Sequence, residues 1–323
     1  MQRIKIKDNV YQIRPSLIMP YHKIKTEEAE KGLYMYHSGA SFEAVANNYG
    51  RDAMFWYRLF ISLGKYSIVG TTVKSKDKLP VNLLADEKHT WLNGEKQYLA
   101  TTVSKGCFLG SELSDGPSEK GLTQAYKVFK QEAEEIAPEY APISVNTDGW
   151  DATRKTWKNN YPKIVLIQCI LHTILKYRKD KDLTEQMWDC YDAENEFQFF
   201  CSVKKLKEKY GSKVEGFCSL EYEFSKYYHV QDGYRTSNML DRIMRYQDKF
   251  LFNCSYLHGD KKSANLFVRA IAMMWNFHPY GKRTKRHSPF ADLNGFVYHQ
   301  SWLQNFLIAT SLVNYHPSNN KIC

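Results

Sequence analysis

The chain has 323 residues, 43% of them hydrophobic, which is too long for a minimal domain and enough for one large core or two modest ones. Forty-five Lys and Arg against 35 Asp and Glu leave a net charge of +10, so a polyanion such as nucleic acid is the first partner to consider. The seven cysteines are odd in number and show no C-x-x-C spacing, which speaks against a disulfide framework and for free thiols in a reducing compartment.

The start, MQRIKIKDNV, lacks an apolar h-region, and the longest greasy run, 164–175, is interrupted by Gln168, His172 and Thr173. Neither secretion nor a membrane span is expected, and the reading is a cytoplasmic protein. Residues 1–80 hold 13 Lys and Arg against 7 Asp and Glu, or +6 of the +10. Within them, 27–65 reads as three short helices: Leu33 and Tyr36 mark the first, Ser41 caps a second with Phe42, Val45 and Ala46 inward, and a third begins near Arg51 after Gly50. A short helix, a Gly-containing turn and an aromatic third helix outline a helix-turn-helix module, with an ordinary three-helix cap as the alternative.

TTVKSKDKLP, 71–80, is polar, basic and closed by Pro, and reads as a linker. Strand-like runs follow at 81–88, 96–104 and 107–113, the last two joined by a Lys-Gly turn as in an antiparallel meander. An amphipathic helix is expected over 121–136, with Leu122, Ala125, Val128 and Phe129 inward. A strand at 143–148, a helix at about 152–160 and a strand at 163–169 then imply a parallel pair with a right-handed crossover. From 170 to about 230 the signatures are all helical, including one long charged helix over 183–210. Helices at about 237–252 and 261–276, a basic loop around GKRTKRH and a Trp/Leu-rich helix at 301–312 complete the chain. The order implies an α/β fold, a mixed sheet with helices packed against it.

Three acids fall at element ends: Asp86, Asp148 and, in the first turn of a helix, Asp241. Neighbouring strands would bring the first two to one edge, and a helix laid across that edge would bring the third. Clustered carboxylates repel unless a cation neutralises them, and hard oxygen donors select Mg²⁺ or Mn²⁺. Two such ions about 3.5 to 4 Å apart can drive an in-line phosphodiester displacement.

These residues resemble a known family. Asp86, the TDGW acid Asp148, YPKIVLIQCILH with its Cys169-x-x-His172 pair, and RTSNMLDRIMR with Asp241 look like DDE/D transposases, closest to the bacterial insertion-sequence group related to Mutator elements. The resemblance spans roughly 83–277. It implies a ribonuclease-H-like core over 81–277, a helical insertion at about 170–230 and a third acid beyond it. It also implies catalytic and metal-binding roles for Asp86, Asp148 and Asp241, two Mg²⁺ or Mn²⁺ ions, and phosphodiester cleavage at element ends followed by strand transfer.

Asp148 follows Asp86 by 62 positions and Asp241 follows Asp148 by 93, which leaves room for a helical insertion. The family usually has Glu in third place; the shorter Asp241 means that the helix comes closer, or that Asp248 or Asp232 is the ligand. The expected partners are double-stranded DNA, both terminal repeats and target, and a second copy of the chain in a dimer or larger assembly. Arg51 and Arg58 on the third N-terminal helix, and Lys282, Arg283, Lys285 and Arg286 in the 278–323 region, are the DNA-contact candidates.

Each residue also has a plainer reading. Asp86 suits a solvated strand end, Asp148-Gly149 an ordinary turn, and Asp241 a helix N-terminus. Cys169 and His172 are half a zinc site without a visible other half, and read rather as a buried thiol and a hydrogen-bonding imidazole. The basic loop suits a solvated turn, and Trp91 is expected in the core, with stacking on an exposed base as its alternative. The rival functions are a ribonuclease-H-like nuclease that never joins ends, and a non-catalytic DNA-binding derivative.

Overall fold

The computed structural model describes residues 2–6, 9–13, 17–280 and 287–311. Strands β1 (Gln2–Ile6) and β2 (Asn9–Ile13) pair as an antiparallel hairpin, and helices α1 (Thr26–His37), α2 (Phe42–Tyr49), α3 (Ala53–Ser62) and α4 (Ile68–Thr72) follow. Three strands come next: β3 (Asn82–Leu92), β4 (Glu95–Ser104) and β5 (Cys107–Leu113). After them run α5 (Glu119–Ile136), β6 (Ser144–Thr147), α6 (Asp151–Asn160) and β7 (Val165–Gln168).

A run of helices follows: α7 (Ile170–Lys176), α8 (Lys181–Tyr191), α9 (Glu196–Tyr210), α10 (Glu215–Cys218) and α11 (Glu221–Ser225). The chain closes with α12 (Asn238–Asn253), α13 (Lys261–Phe277), α14 (Pro289–Asn294) and α15 (Trp302–Ser311).

The sheet runs β5-β4-β3-β6-β7, with β3, β4 and β5 antiparallel and β3, β6 and β7 parallel. Its hairpins turn at Asn93-Gly94 and Lys105-Gly106, pairs in which both residues adopt positive φ, as tight two-residue connections require. Alternation along β3 sends its two residue sets to different cores. Leu83 and Ala85 pack with Leu122, Phe129 and Trp157 of α5 and α6. Leu84 packs with Leu240, Ile243 and Phe250 of α12 and Phe267 and Ile271 of α13.

That second core also takes in Leu33, Val45, Trp56 and Phe60 from the N-terminal helices and Trp302, Leu303 and Phe306 from α15. Ser41 and Asp52 cap α2 and α3 by accepting the Ala44 and Phe55 amide N–H groups. α7 to α11 instead bury Ile174, Met187, Phe199, Val203 and Phe217 in a core of their own.

Several local expectations are corrected. β3 runs on to Leu92, so Asp86 lies in mid-strand and not at a strand end. The helix expected over 183–210 is two, because Asn195 accepts the Gln198 N–H and starts α9 afresh. In the 71–80 stretch, expected to be a linker, Thr71, Thr72 and Val73 are buried, and Lys74 donates to the Gly70 and Ala309 carbonyls. Burial holds that amine down at about 8. Trp91, expected in the core, is 42% exposed.

Candidate active site

Asp86 and Asp148 meet because of strand register. β3 and β6 pair with Leu84 opposite Asn146, so two residues further along each chain the two acids stand level. Asp148 lies just past the end of β6, exposed, where Gly149 at φ +98° turns the chain into α6. A Cβ on Gly149 would fall 2.0 Å from Gln168 Nε2, which donates to the Asp148 carbonyl, so both the turn and this contact require glycine. The Asp148 carboxylate accepts the Trp150 N–H at 2.9 Å, and Asp86 accepts the Glu87 N–H at 2.7 Å.

Asp241 arrives on the first turn of α12, the helix that packs on the same face of β3. Burial, then the Asp148 charge, push the Asp86 carboxyl up to about 7; the Asp241 charge adds to the rise, and the Glu87 N–H and His172 oppose it. Asp148 and Asp241 are thus both in electrostatic reach of Asp86. Among the described residues, however, no three His, Cys, Asp or Glu side chains are drawn together into a finished metal-holding group. The set is three hard oxygen donors, one of them the half-buried Asp86 carboxyl, and that chemistry fits Mg²⁺ or Mn²⁺ better than a softer ion.

His172 and Cys169 sit at the same end. The neighbouring Cys169 raises the His172 imidazole to about 9, against desolvation, with the Asp241 and Asp86 charges adding to the effect. Burial pushes the Cys169 thiol up, but His172 and Ser237 outweigh it and the net shift is downward. Ser237 Oγ lies 3.4 Å from both Cys169 Sγ and His172 Nδ1. The six described cysteines are all free.

No family model matches this chain, and no curated protein resembles it closely enough to count as a match.

Of the other acids weighed for third place, Asp248 is paired with Lys88 at 2.7 Å, and Asp232 is an exposed residue at φ +55° on the turn before Gly233. Arg51 is exposed, yet its guanidinium donates to the Lys23 carbonyl at 2.7 Å and covers the Phe55 ring; Arg58 is exposed on α3. Lys282, Arg283, Lys285 and Arg286 lie outside the described residues.

Sequence reasoning missed Glu87. It points away from Asp86 into the α5–α6 side of the sheet, accepting from Tyr126 Oη at 2.7 Å and Thr153 Oγ1 at 2.6 Å. Burial lifts its carboxyl to about 7, partly opposed by the Thr153 and Tyr126 hydrogen bonds. It also missed Arg154, which bridges Gln168 of β7 and Glu223 of α11 at 3.5 and 2.5 Å. The partners lie 14 and 69 positions away, so no local pattern in the sequence marks them.

Proposed function

We propose that the protein is a DNA transposase of the DDE/D type with a ribonuclease-H-like core, cutting at the ends of a mobile element and joining them to target DNA. The observation that carries this reading is the register of parallel strands β3 and β6, which sets Asp86 of β3 level with Asp148 just past the end of β6, with Asp241 brought over the same face by α12. The order β5-β4-β3-β6-β7 and the separate helical core between β7 and α12 support it, as does the +10 net charge.

In this reading Asp86, Asp148 and Asp241 hold Mg²⁺ or Mn²⁺, and the bound ions supply charge stabilisation and an activated oxygen nucleophile. The chain's own part is positional. β3 carries the first carboxylate, the turn after β6 the second, α12 sets the third, and His172 places a positive charge that offsets part of their repulsion. The α1–α3 helices, read as a helix-turn-helix module, present Arg58 to DNA, and α7 to α11 are the helical insertion. Two ends handled together call for a dimer or larger assembly. Among the described residues no helix is long and apolar enough to cross a membrane, which is consistent with work on DNA in the cytoplasm.

The test is Mg²⁺-dependent nicking and strand transfer on DNA carrying the sequences that flank the gene, comparing wild type with Asp148→Ala. Cleavage and joining by the wild type alone are expected. Cleavage without joined product favours the nuclease reading, and equal signals from both proteins favour a binding protein without catalysis.

A further inference from the structure

The segment between the helical core and α12 is tied down at three successive points by three different bodies of the structure. Tyr234 stands first. Its hydroxyl accepts the Lys105 N–H at 2.9 Å and lies 3.0 Å from Ser104 Oγ, while its carbonyl accepts Asn146 Nδ2 at 2.9 Å. These contacts pin the chain across β4 and β6.

Arg235 comes next and turns into the helical segment. Its guanidinium donates to the Cys190 and Ala193 carbonyls at 3.0 and 3.1 Å and to Tyr228 Oη at 2.6 Å. The same group lies 5.0 to 6.0 Å from the ring centres of Tyr191, Phe199, Tyr227 and Tyr228. A planar cation held by directed donors and aromatic faces is a fixed geometry that lysine does not reproduce.

Ser237 ends the segment and is buried at the N-cap of α12. Serine there ordinarily accepts an amide N–H of the first turn. This one makes no such cap bond; its hydroxyl lies instead 3.4 Å from Cys169 and His172, at the junction of β7 and α7. The helix gives up that capping bond, and its start is tied sideways to the core. One turn later stands Asp241.

We propose that Arg235 and Ser237 are positioning residues: they couple the helical segment 170–229 and the β7–α7 junction to the first turn of α12, and so set where Asp241 stands. This rests on the function proposed above only for what Asp241 does. The coupling concerns this chain's own packing. Loosening the helical segment, by a DNA contact or by a substitution, then shifts the third acid relative to Asp86 and Asp148. A segment that packs around its own core can thereby govern a site to which it contributes none of the three acids.

The test uses the full chain and two readouts. Amide hydrogen exchange is followed over 238–244, and Mn²⁺ affinity is measured by titration, for wild type, Arg235→Gln, Arg235→Lys and Ser237→Ala. Arg235→Gln and Ser237→Ala are expected to speed exchange in the first turn of α12 by about tenfold or more while amides of β4 and β7 keep their protection. Arg235→Lys, which keeps the charge without the fork, falls between. Mn²⁺ binding weakens about tenfold in Arg235→Gln, and adding that change to Asp241→Asn weakens it no further.

Protection at 238–244 that stays at the wild-type level in both Ser237→Ala and Arg235→Lys overturns the proposal, as does full additivity with Asp241→Asn. If wild type binds no Mn²⁺, the transposase reading fails while the exchange readout still decides the coupling. If Arg235→Gln does not fold, Ser237→Ala and Arg235→Lys carry the test.

Discussion

Lys88 and Asp248 form an ion pair at 2.7 Å, with both side chains largely out of solvent. The pair stands on the face of β3 that carries Asp86, but it neutralises Asp248, whereas Asp241 forms no direct ion pair among the described side chains and has only the His172 imidazole in its electrostatic reach. Asp241→Asn is therefore expected to lower metal-dependent nicking at least 100-fold, by about 2.7 kcal/mol or more of lost transition-state stabilisation. Asp248→Asn should leave the rate within about threefold and cost about 1 to 2 kcal/mol of stability through the orphaned Lys88. Parallel nicking assays and denaturant melts on the two variants check this; a dead Asp248→Asn beside an active Asp241→Asn would reassign the third acid.

Stability of the metal-free protein should fall as pH rises. The folded Asp86 carboxyl, lifted to about 7 from an ordinary 3.8, keeps a proton that the unfolded chain has released, so stability drops between those values. His172, raised from 6.5 to about 9, contributes stability that is whole below 6.5 and lost as pH climbs through about 9. Both slopes have the same sign. A fall of roughly 5–10 °C in Tm from about pH 5 to about pH 9 is expected, since roughly 1 kcal/mol shifts a domain of this kind by 2–4 °C. Asp86→Asn or added Mg²⁺ should flatten the lower limb, and His172→Gln the upper. Identical pH profiles for wild type and both variants would show that neither group is linked to folding.

Gly64 follows α3 and lies against α13, where an added Cβ would stand 2.0 Å from the Leu266 carbonyl oxygen and 2.9 Å from the Ala270 nitrogen. Both obstacles are backbone, so neither can swing aside. The Gly64 carbonyl also accepts Nε of Arg269, whose guanidinium is buried between Glu112 and Glu132. Gly64→Ala is expected to cost about 3 kcal/mol or more. Because α1–α3 share a core with the sheet, the loss should appear as one cooperative transition at lower temperature. A separate early step in calorimetry, with the sheet melting unchanged, would make the N-terminal helices an independent unit.

The pattern of apolar residues made the mixed sheet legible, since short runs joined by tight turns give an antiparallel meander and two runs joined by one helix give a parallel crossover pair. The three acids were picked out because each was read at an element end, in motifs that resemble a known family. Strand β3 was read short for the same reason: the run Asp86-Glu87-Lys88-His89 looks like a strand end, whereas the structure splits it between two faces. Asp86 goes to the α12 side, Glu87 to Tyr126 and Thr153, and Lys88 to Asp248. The second start at Asn195 was hidden by continuous helical composition. Nothing local could mark Ser237, whose partners lie 68 and 65 positions back, or distinguish Arg51 from Arg58.

That last distinction is testable. Arg51 sits at φ +69° between α2 and α3, with its guanidinium on the Lys23 carbonyl and the Phe55 ring, so its removal should act on folding first. Arg58 points from the exposed face of α3. If α3 meets DNA, Arg58→Ala should weaken binding and reduce the slope of log affinity against log salt by about one counterion, leaving Tm unchanged. Arg51→Ala should lower Tm by a few degrees and leave the salt slope nearly intact. Binding measured between about 50 and 200 mM salt for wild type and both variants separates them; a wild-type affinity indifferent to salt would remove phosphate contacts, and α3 with them, from the DNA-binding account.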